Sequence, residues 1–537
     1  MSAPAVMAAA RRWRWRWRVW PDAAARLLPG AIIGVAACLA SLAALRRSFE
    51  LDEGYTYLML NGQPRITWPS GVFTRGAIAH WFAGTSPLSR IAADLRTYDV
   101  HPPLWFDVEE AWRHVVGPGL LAARLLSVAF MVASLLLVAR VARRCRAPVA
   151  PTLALTAFSY AVLYTGATVR MYPFANMLLL AGTLALLRVL GQPEASASSR
   201  RLWAALAGLA FGLGTAAHLF VVLPALAIGA TAAAALIARR RVAEVLIVAV
   251  AAAPPIGWAA CFYLVQRTHD WQFPPFGIAG MVARTAQDYA AALFGGTPLY
   301  VPHALMLPVT ALLGGLLLLA LSVAAHGARR MASDAPGRIV LAGTLALPAA
   351  LFAVAAAVGR ETVELRYLIY GLPFLAMFLA RGWRTQRLLP RRACGLLAAA
   401  FVAAQVIGAA AMPFAHITQQ AARPAIHQIG RRWQPGSILL LPEADDTSGM
   451  TLDDAYEAPP GWPMLLLRRD ADPAALLRAV AGRPRVFVIL IADAAGTAAI
   501  GRALGILTAA GWRSAGSPGG TETRLGPAWE ELLAPSR

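Results

Sequence analysis

The sequence predicts an α-helical membrane protein that crosses the bilayer many times and ends in a small α/β domain. Of its 537 residues, 58% are hydrophobic and only 14% are charged, a composition too apolar for a soluble globular chain. Long apolar segments recur as far as residue 412, and shorter strand-like and helix-like segments follow them. The chain contains no lysine, and short runs of arginine separate many of the apolar segments.

Eleven segments are long and apolar enough to be membrane spans, because about 20 helical residues cross the hydrocarbon core. The region 202–238 is divided into two of them. The predicted spans cover residues 27–45, 119–139, 149–167, 173–190, 202–217, 219–238, 243–265, 304–325, 339–358, 367–380 and 394–412.

The arginine runs also predict the orientation of the chain, since cytoplasmic loops carry an excess of positive charge. With a cytoplasmic basic N-terminus (residues 1–26), the arginine-rich loops all fall on the cytoplasmic side of the transmembrane domain (residues 27–412). The first opposite loop, residues 46–118, has seven arginines against eight acids and therefore faces outward. The same parity makes residues 413–537 extracytoplasmic. Heavy use of alanine, arginine, glycine and proline suggests a bacterial source, which places the protein in a bacterial cytoplasmic (inner) membrane.

The formal net charge of +21 indicates membrane lipids rather than nucleic acid as partners. The arginines flank apolar segments, and no basic face recurs within one soluble domain, as nucleic-acid binding would require. Residues 11–18 alternate arginine and tryptophan, a pattern that suits an anionic lipid surface.

The outward parts of the chain are predicted to be folded. In the first outer loop, residues 72–95 and 104–116 have apolar side chains at helical spacing mixed with charges, which predicts amphipathic helices on the membrane surface. The tail shows three short apolar runs typical of buried strands and two helical segments. The predicted strands are 437–441, 463–467 and 485–491, and the predicted helices are 474–481 and 495–510.

Four polar clusters fall on the predicted outer side. Taken singly, charges at helix ends usually meet water, and arginines there often bind lipid phosphate. Together they supply a carboxylate that can take a proton from a hydroxyl group and arginines that can hold a phosphate as it leaves. The clusters are Asp52-Glu53; Asp99 and His101 before Pro102-Pro103-Leu104; Arg170-Met171-Tyr172; and Glu364-Leu365-Arg366-Tyr367.

The order and spacing of these motifs resemble the GT-C glycosyltransferases. More narrowly, they are similar to the dolichyl-phosphate-mannose/protein mannosyltransferase-like group, which includes the RgtA/B/C/D-like enzymes and aminoarabinose transferase. The resemblance covers about residues 27–379, and its best motifs precede residue 190. It implies an integral-membrane enzyme with a polyprenyl-phosphate sugar as donor and inversion at the anomeric carbon. The acceptor, which is a glycolipid, a polysaccharide or a protein, stays open.

The resemblance also implies roles for individual residues. Asp52 would be the general base that activates the acceptor hydroxyl, and Glu53 would orient it or help to bind the acceptor or a metal. Asp99 and Glu364 are candidates for binding the acceptor or a metal. The candidates for binding the donor phosphate are His101, Arg170 and Arg366, with Tyr172 and Tyr367 as hydrogen-bond donors.

No cofactor is implied with certainty, and a divalent metal ion stays open. Some relatives carry a second aspartate near the position of Tyr172, and others a lysine at the position of His101. These departures leave the second acidic role undetermined. Asp99 and His101 could together contribute to a divalent-metal site.

Two other functions are compatible with a polytopic chain. A transporter or flippase of a lipid-linked substrate would keep ionisable residues near the membrane midplane and broken helices in matched halves. Here the charged residues gather at one face, and the sequence shows no matched halves. A non-catalytic scaffold that presents its C-terminal domain would tolerate replacement of Asp52. A lipid-linked-sugar glycosyltransferase is therefore the leading hypothesis.

Overall fold

The computed structural model describes most of the chain. The arginine and tryptophan run at residues 11–18 lies outside the described residues, as does most of the predicted cytoplasmic segment 1–26. The described residues are 22–99, 101–191, 196–265, 274–415, 422–443, 450–470, 472–490, 494–516 and 528–533.

A long first helix leads into a segment of short helices, which corresponds to the first outer loop. The helix expected over residues 104–116 forms with those bounds. The elements are α1 (Asp22–Arg46), α2 (Leu51–Leu60), β1 (Val72–Phe73), α3 (Arg75–Ile78), α4 (His80–Ala83), α5 (Leu88–Tyr98) and α6 (Leu104–Val116).

The single amphipathic helix expected over residues 72–95 is wrong. This stretch begins as a short strand and then forms three separate helices. Gly84 ends α4 in an extended conformation, and Pro87 begins α5, because a proline disfavours helical geometry in the residue before it.

The charged side chains of α6 also differ from the expectation for a surface helix. Glu109, Glu110 and Arg113 are buried. Arg113 donates to Glu110 Oε2 at 3.2 Å and to the side-chain oxygen of Asn61 at 3.1 Å. These three charged side chains of α6 therefore lie in the interior, and Arg113 joins α6 to the end of α2.

The central part of the chain is almost entirely helical. Two short 3-10 turns, Leu219–Val221 and Leu365–Tyr370, precede α12 and α18. The helices are α7 (Leu120–Arg144), α8 (Val149–Ala157), α9 (Tyr160–Gly166), α10 (Tyr172–Gly191), α11 (Ala197–Ala217), α12 (Val222–Ile237), α13 (Val242–Leu264), α14 (Ile278–Leu293), α15 (Thr297–Tyr300), α16 (His303–Met331), α17 (Ala335–Val358), α18 (Leu372–Thr385) and α19 (Arg391–Ala411).

Within the described residues, eight helices have the length and composition to cross a membrane, or nine if the bent pair α8–α9 counts as one span. The chain is thus a multi-pass membrane protein, but the predicted total of eleven spans is not confirmed. The eight are α1, α7, α10, α12 with the turn before it, α13, α16, α17 and α19.

Three predicted spans account for the difference. The segment 149–167 is not a straight helix, since α8 and α9 meet at 62°. The segment 367–380 begins with a 3-10 turn, and its helix α18 has 14 residues, or about 21 Å, which is short of the roughly 30 Å of hydrocarbon. The segment 202–217 lies in α11, which is not among the eight.

The tail forms the predicted α/β structure. The three expected strands and two expected helices are present, with ends displaced by one residue at most. Two further helices and two further strands were not expected. The elements are α20 (Ala422–Arg432), β2 (Ile438–Pro442), α21 (Met450–Glu457), β3 (Met464–Leu467), α22 (Pro473–Val480), β4 (Arg485–Leu490), α23 (Ala494–Ala509), β5 (Arg513–Gly516) and β6 (Ala528–Leu533).

One sheet joins the tail to the first outer loop. Its strand order is β1-β3-β2-β4-β6-β5, with β2 parallel to both β3 and β4. At one edge, β1 of the outer loop pairs antiparallel with β3, so that Val72 lies opposite Leu465 and Phe73 opposite Met464. Two segments almost 400 residues apart therefore share main-chain hydrogen bonds above the spans.

Candidate active site

The acidic pair Asp52-Glu53 lies in the first turn of α2, a few residues after α1 ends. Glu50 and Glu53 form a capping box, in which the Glu50 backbone N–H donates to Glu53 Oε2 at 3.1 Å. Acidic side chains in this turn also interact favourably with the positive end of the helix dipole. Because successive helical residues are rotated by about 100°, Asp52 and Glu53 face different surroundings.

Glu53 faces the protein interior and forms a buried ion pair with Arg124 of α7. The Arg124 Nε and Nη2 groups donate to its two oxygens at 2.8 and 2.6 Å, and the Val169 backbone N–H donates at 3.0 Å. The other donor contacts of Arg124 go to the backbone oxygens of Ala44, Arg47 and Ser48. Both Glu53 oxygens are thus occupied by protein donors, and the pair fastens the end of α1 to α2 and to the residue before Arg170.

Asp52 faces a more open side, where 17% of its side chain is exposed. Its carboxylate contacts the guanidinium group of Arg366, which also contacts the carboxylate of Glu364. Arg170 Nη1 donates to the backbone oxygen of Asp52 at 3.1 Å. Three motifs that are far apart in sequence therefore meet around Asp52.

Two tyrosines line the same region. The guanidinium carbon of Arg366 lies 5.8 Å from the ring centres of both Tyr172 and Tyr367, within the range of cation–π attraction. The two tyrosine rings are 6.2 Å apart. Arg170, which is buried just before α10, lies beside them in sequence and in space. The Arg366 guanidinium group is thus held by two tyrosine rings and two carboxylates.

Asp99 and His101 are bonded to each other at the edge of this region. The imidazole Nδ1 of His101 lies 2.6 Å from Asp99 Oδ1, and the His101 backbone N–H donates to the same oxygen at 3.2 Å. The His101 ring lies 5.7 Å from the ring of His218, which in turn lies 5.1 Å from Tyr172. We call Asp52, His101, Arg170, Tyr172, Arg366 and Tyr367 the polar cluster.

The structure therefore places the nine residues singled out from the sequence in or next to one polar cluster. Glu53 lies behind it, and Asp99 and Glu364 each hold a member of it. Four other residues were missed: Thr56, Arg124, His218 and Tyr370. The Thr56 hydroxyl, for example, lies 3.5 Å from Arg170 Nη1.

Sequence signals existed for two of the missed residues. Arg124 falls inside a predicted span, where an arginine is costly unless it is paired, so it could have been matched with an acid. His218 is the one residue between two predicted spans. Nothing in the local sequence distinguishes Thr56 or Tyr370.

Several buried polar groups of this region lack a protein partner. Among the described residues, Arg170 Nε, His218 Nδ1 and the Tyr370 hydroxyl are buried without a hydrogen bond. An unsatisfied buried polar group costs about 1–3 kcal/mol, so three together are unusual unless a ligand satisfies them. All three can donate, and a phosphate offers only acceptor oxygens to such groups.

Burial raises the pKa of Glu364 to about 7, and the nearby Asp288 carboxylate contributes a smaller part of the shift. This carboxyl group contacts Arg366, which also contacts Asp52. The charge balance beside Asp52 therefore changes near neutral pH.

The described residues do not fit a metal site. No group of three His, Cys, Asp or Glu side chains within them lies close enough to hold a metal ion. The Nδ1 atom of His101 is already bonded to Asp99.

No protein-family model matches the chain, and no curated protein matches it. Several solved structures, in contrast, are similar to it. The crystal structure of ArnT from Cupriavidus metallidurans in the apo state is 11% identical, covers 93% of this chain and 97% of its own, and has a TM-score of 0.49. The same protein bound to undecaprenyl phosphate is 12% identical over the same shares, with a TM-score of 0.48.

A third similar structure is the archaeal oligosaccharyltransferase AglB from Archaeoglobus fulgidus, in complex with an inhibitory peptide and a dolichol-phosphate. It is 12% identical, covers 87% of this chain and 70% of its own, and has a TM-score of 0.46. Identities and TM-scores this low assign no activity to this chain.

Proposed function

We propose that this chain is a GT-C-like integral-membrane glycosyltransferase. It moves a sugar from a polyprenyl-phosphate donor to a hydroxyl group of an acceptor at the outer face of the bacterial cytoplasmic membrane. One observation carries the proposal: Asp52 is partly exposed, its carboxylate contacts Arg366, its backbone oxygen accepts from Arg170, and buried donors that lack partners lie next to it. A proton acceptor for a hydroxyl group and a binding region for a leaving phosphate are thereby adjacent.

In the proposed reaction, Asp52 accepts the proton of the acceptor hydroxyl. The freed oxygen forms a bond to the anomeric carbon while the bond from that carbon to the phosphate oxygen breaks, and its electron pair goes to the phosphate. A single displacement from the opposite side inverts the anomeric configuration. The transition state carries positive charge on the sugar ring, which the nearby Asp52 carboxylate also stabilises.

The phosphate is held by the cationic half of the polar cluster. Arg170 and Arg366 offer planar forks that match phosphate oxygens, and His101, Tyr172 and Tyr367 add donors. Without donor, Arg366 contacts Asp52 and Glu364. An arriving phosphate competes for this arginine and leaves Asp52 available as a base.

The remaining site residues act through their neighbours. Glu53 fixes the first turn of α2 through Arg124, and Asp99 orients the His101 ring. Glu364 holds Arg366 at Nε, whereas Asp52 contacts Nη1. We assign all three as positioning residues.

A groove beside the site suits the lipid part of the donor. It lies between α5 and α13, has a volume of about 510 Å³ and is open to the outside. Trp258, Phe262 and Val265 supply apolar surface, and Arg96 supplies a positive charge. Because α5 leads directly to Asp99 and His101, a polyprenyl chain in this groove would bring its phosphate towards the polar cluster.

The test is transfer of a labelled sugar from a panel of polyprenyl-phosphate sugars to envelope material from cells that lack the protein. The glycan that loses a residue in those cells identifies the acceptor. We expect Asp52→Asn to lower the rate at least about 100-fold, the usual contribution of a general base. Asp472→Asn is the matched control, because Asp472 is an exposed helix cap far along the tail and asparagine also caps helices. Near-normal transfer by Asp52→Asn would refute the assignment.

The proposed orientation has its own test in intact cells, in a background from which Cys38 and Cys261, both exposed, have been removed. A cysteine at the exposed position Ser70 should react with an impermeant thiol reagent before lysis. A cysteine at Arg240, in a predicted cytoplasmic loop, should react only after lysis. The reverse pattern would invert the topology and move the reaction to the other face.

A further inference from the structure

His218 lies at the centre of the aromatic side chains of the site, although no motif in the sequence marks it. It occupies the break between α11 and the turn Leu219–Val221, with an extended backbone, and only 4% of it is exposed. The rings around it belong to His101, Tyr172, Phe220, Tyr367 and Tyr370, with centres 5.1 to 5.7 Å away.

The surroundings of His218 are those of an anion-binding group. Its Nδ1 atom is buried and has no hydrogen-bond partner among the described residues. Burial, together with the neighbouring His101 and Arg170, holds the pKa of His218 well below its usual range, so the free site contains a neutral imidazole. The other groups that face it are the three tyrosines, the apolar Phe220 ring, and Asp99 through its bond to His101.

We propose that His218 is a further ligand of the donor phosphate and takes up a proton when the sugar leaves. The inference rests on the proposed function. Before transfer, the donor phosphate is a diester with one negative charge. When its bond to the anomeric carbon breaks, the electron pair stays on the phosphate oxygen and the lipid phosphate gains a second charge. The proton of the acceptor hydroxyl goes to Asp52, and the proton that His218 binds comes from solvent.

The order of events follows from the neighbours of His218. Because it is buried and close to the Arg170 guanidinium group, the imidazole does not bind a proton until an anion enters. A dianionic phosphate reverses this balance, because an opposite charge within about 4–6 Å favours the charged form of a histidine. The resulting imidazolium stabilises the leaving group at the moment its charge increases.

The probe is polyprenyl phosphate without sugar, titrated calorimetrically into the full-length protein near pH 7 in two buffers with different ionisation enthalpies. The difference in heat gives the number of protons taken up on binding. In His218→Asn, the amide nitrogen stands near the position of Nδ1 but does not titrate. We expect this variant to bind the lipid, roughly 10-fold more weakly, and to take up about one proton fewer than the wild type.

The matched control is His114→Asn on α6, whose side chain is 62% exposed, and it should leave proton uptake unchanged. Equal proton uptake by the wild type and His218→Asn, with the lipid still bound, would overturn the role of His218 and leave the proposed function standing. Failure of the wild type to bind the lipid would refute the proposed function itself. If the asparagine variant does not fold, His218→Gln replaces it.

The pH dependence of binding provides a second test. The wild-type affinity for the dianionic lipid should fall more steeply above neutral pH than that of His218→Asn, because only the wild type has an imidazolium to lose. Equal pH dependence of the two proteins overturns the proposal.

Discussion

Asp52 and Glu53 are neighbours with the same functional group, yet the fold gives them opposite surroundings. Glu53 is fully buried, and both its oxygens accept hydrogen bonds from protein donors. Asp52 is partly exposed, and its carboxylate contacts the guanidinium group of Arg366. The difference shows that one residue of helix rotation is enough to separate a carboxylate that is enclosed by protein donors from a carboxylate that stays partly open.

The largest effect on stability is expected from Glu53→Gln. We expect a loss of about 3–5 kcal/mol in the free energy of unfolding, because Arg124 would keep a buried charge without its partner. Thermal unfolding followed by fluorescence-detected size exclusion measures it. Asp52→Asn should unfold within about 1 kcal/mol of the wild type, since its partner stays partly exposed. A Glu53→Gln protein that is stable but inactive would make Glu53 a catalytic residue.

A second prediction concerns the partner of Asp52. We expect Arg366→Leu to lower kcat/KM by about 100-fold, because the variant loses a phosphate ligand and leaves two carboxylates facing each other. Arg366→Lys should lose about 10-fold, since lysine keeps the charge but not the planar fork. Steady-state kinetics over a range of donor concentrations measures both. Equal kcat/KM for the leucine variant and the wild type would remove Arg366 from the site.

A third carboxylate, that of Glu109, is buried without the pairing that Glu53 has. Burial raises the pKa of Glu109 to about 8, with Arg113 opposing the shift, and both its oxygens lack hydrogen-bond partners among the described residues. The protonated form is favoured in the folded state, so its contribution to stability is complete below about pH 4.5 and is lost as the pH rises through 8. Glu109→Gln should therefore unfold with less pH dependence than the wild type and be more stable by about 1–2 kcal/mol above pH 8. Parallel pH profiles for the two proteins would contradict the neutral state of Glu109.

The smallest expected effect comes from Gly54, the residue after the acidic pair. A Cβ atom there would lie 2.8 Å from a methyl group of Leu452 in α21. Because the end of a leucine side chain can move, Gly54→Ala should cost only about 1 kcal/mol. In a Leu452→Ala background, Gly54→Ala should cause no such loss in the free energy of unfolding, because the contacting methyl group is absent. A loss above about 3 kcal/mol in the free energy of unfolding would mean that α21 cannot move away from α2.

Much of the fold could be predicted from local sequence patterns. The apolar periodicity of α6 gave its bounds, and the strands β2, β3 and β4 follow from short apolar runs. The two-residue strand β1 could not be predicted, because its pairing partner lies almost 400 residues away. Composition also predicted more spans than the described residues contain, in part because the bend between α8 and α9 has no clear local signal.

The candidate site was predictable as a set of residue types and only partly as a geometry. The parity of the arginine runs placed Asp52, His101, Arg170 and Arg366 on one side. The sequence could not show that Glu53 is occupied by Arg124, because that contact depends on how α7 packs against the end of α1. His218 was missed for a related reason, since its importance comes from five rings brought together by other helices.

The joining of the tail to the first outer loop has a consequence for biogenesis. Glu457 in α21 accepts a hydrogen bond from the Phe49 backbone N–H, and the Tyr456 ring stacks on Phe49 at 4.2 Å. The loop that carries Asp52 is translated early, but these contacts can form only after residue 457 has been translated. Under the proposed function, the surroundings of Asp52 would be complete only near the end of synthesis, so that unfinished chains would not use donor lipid.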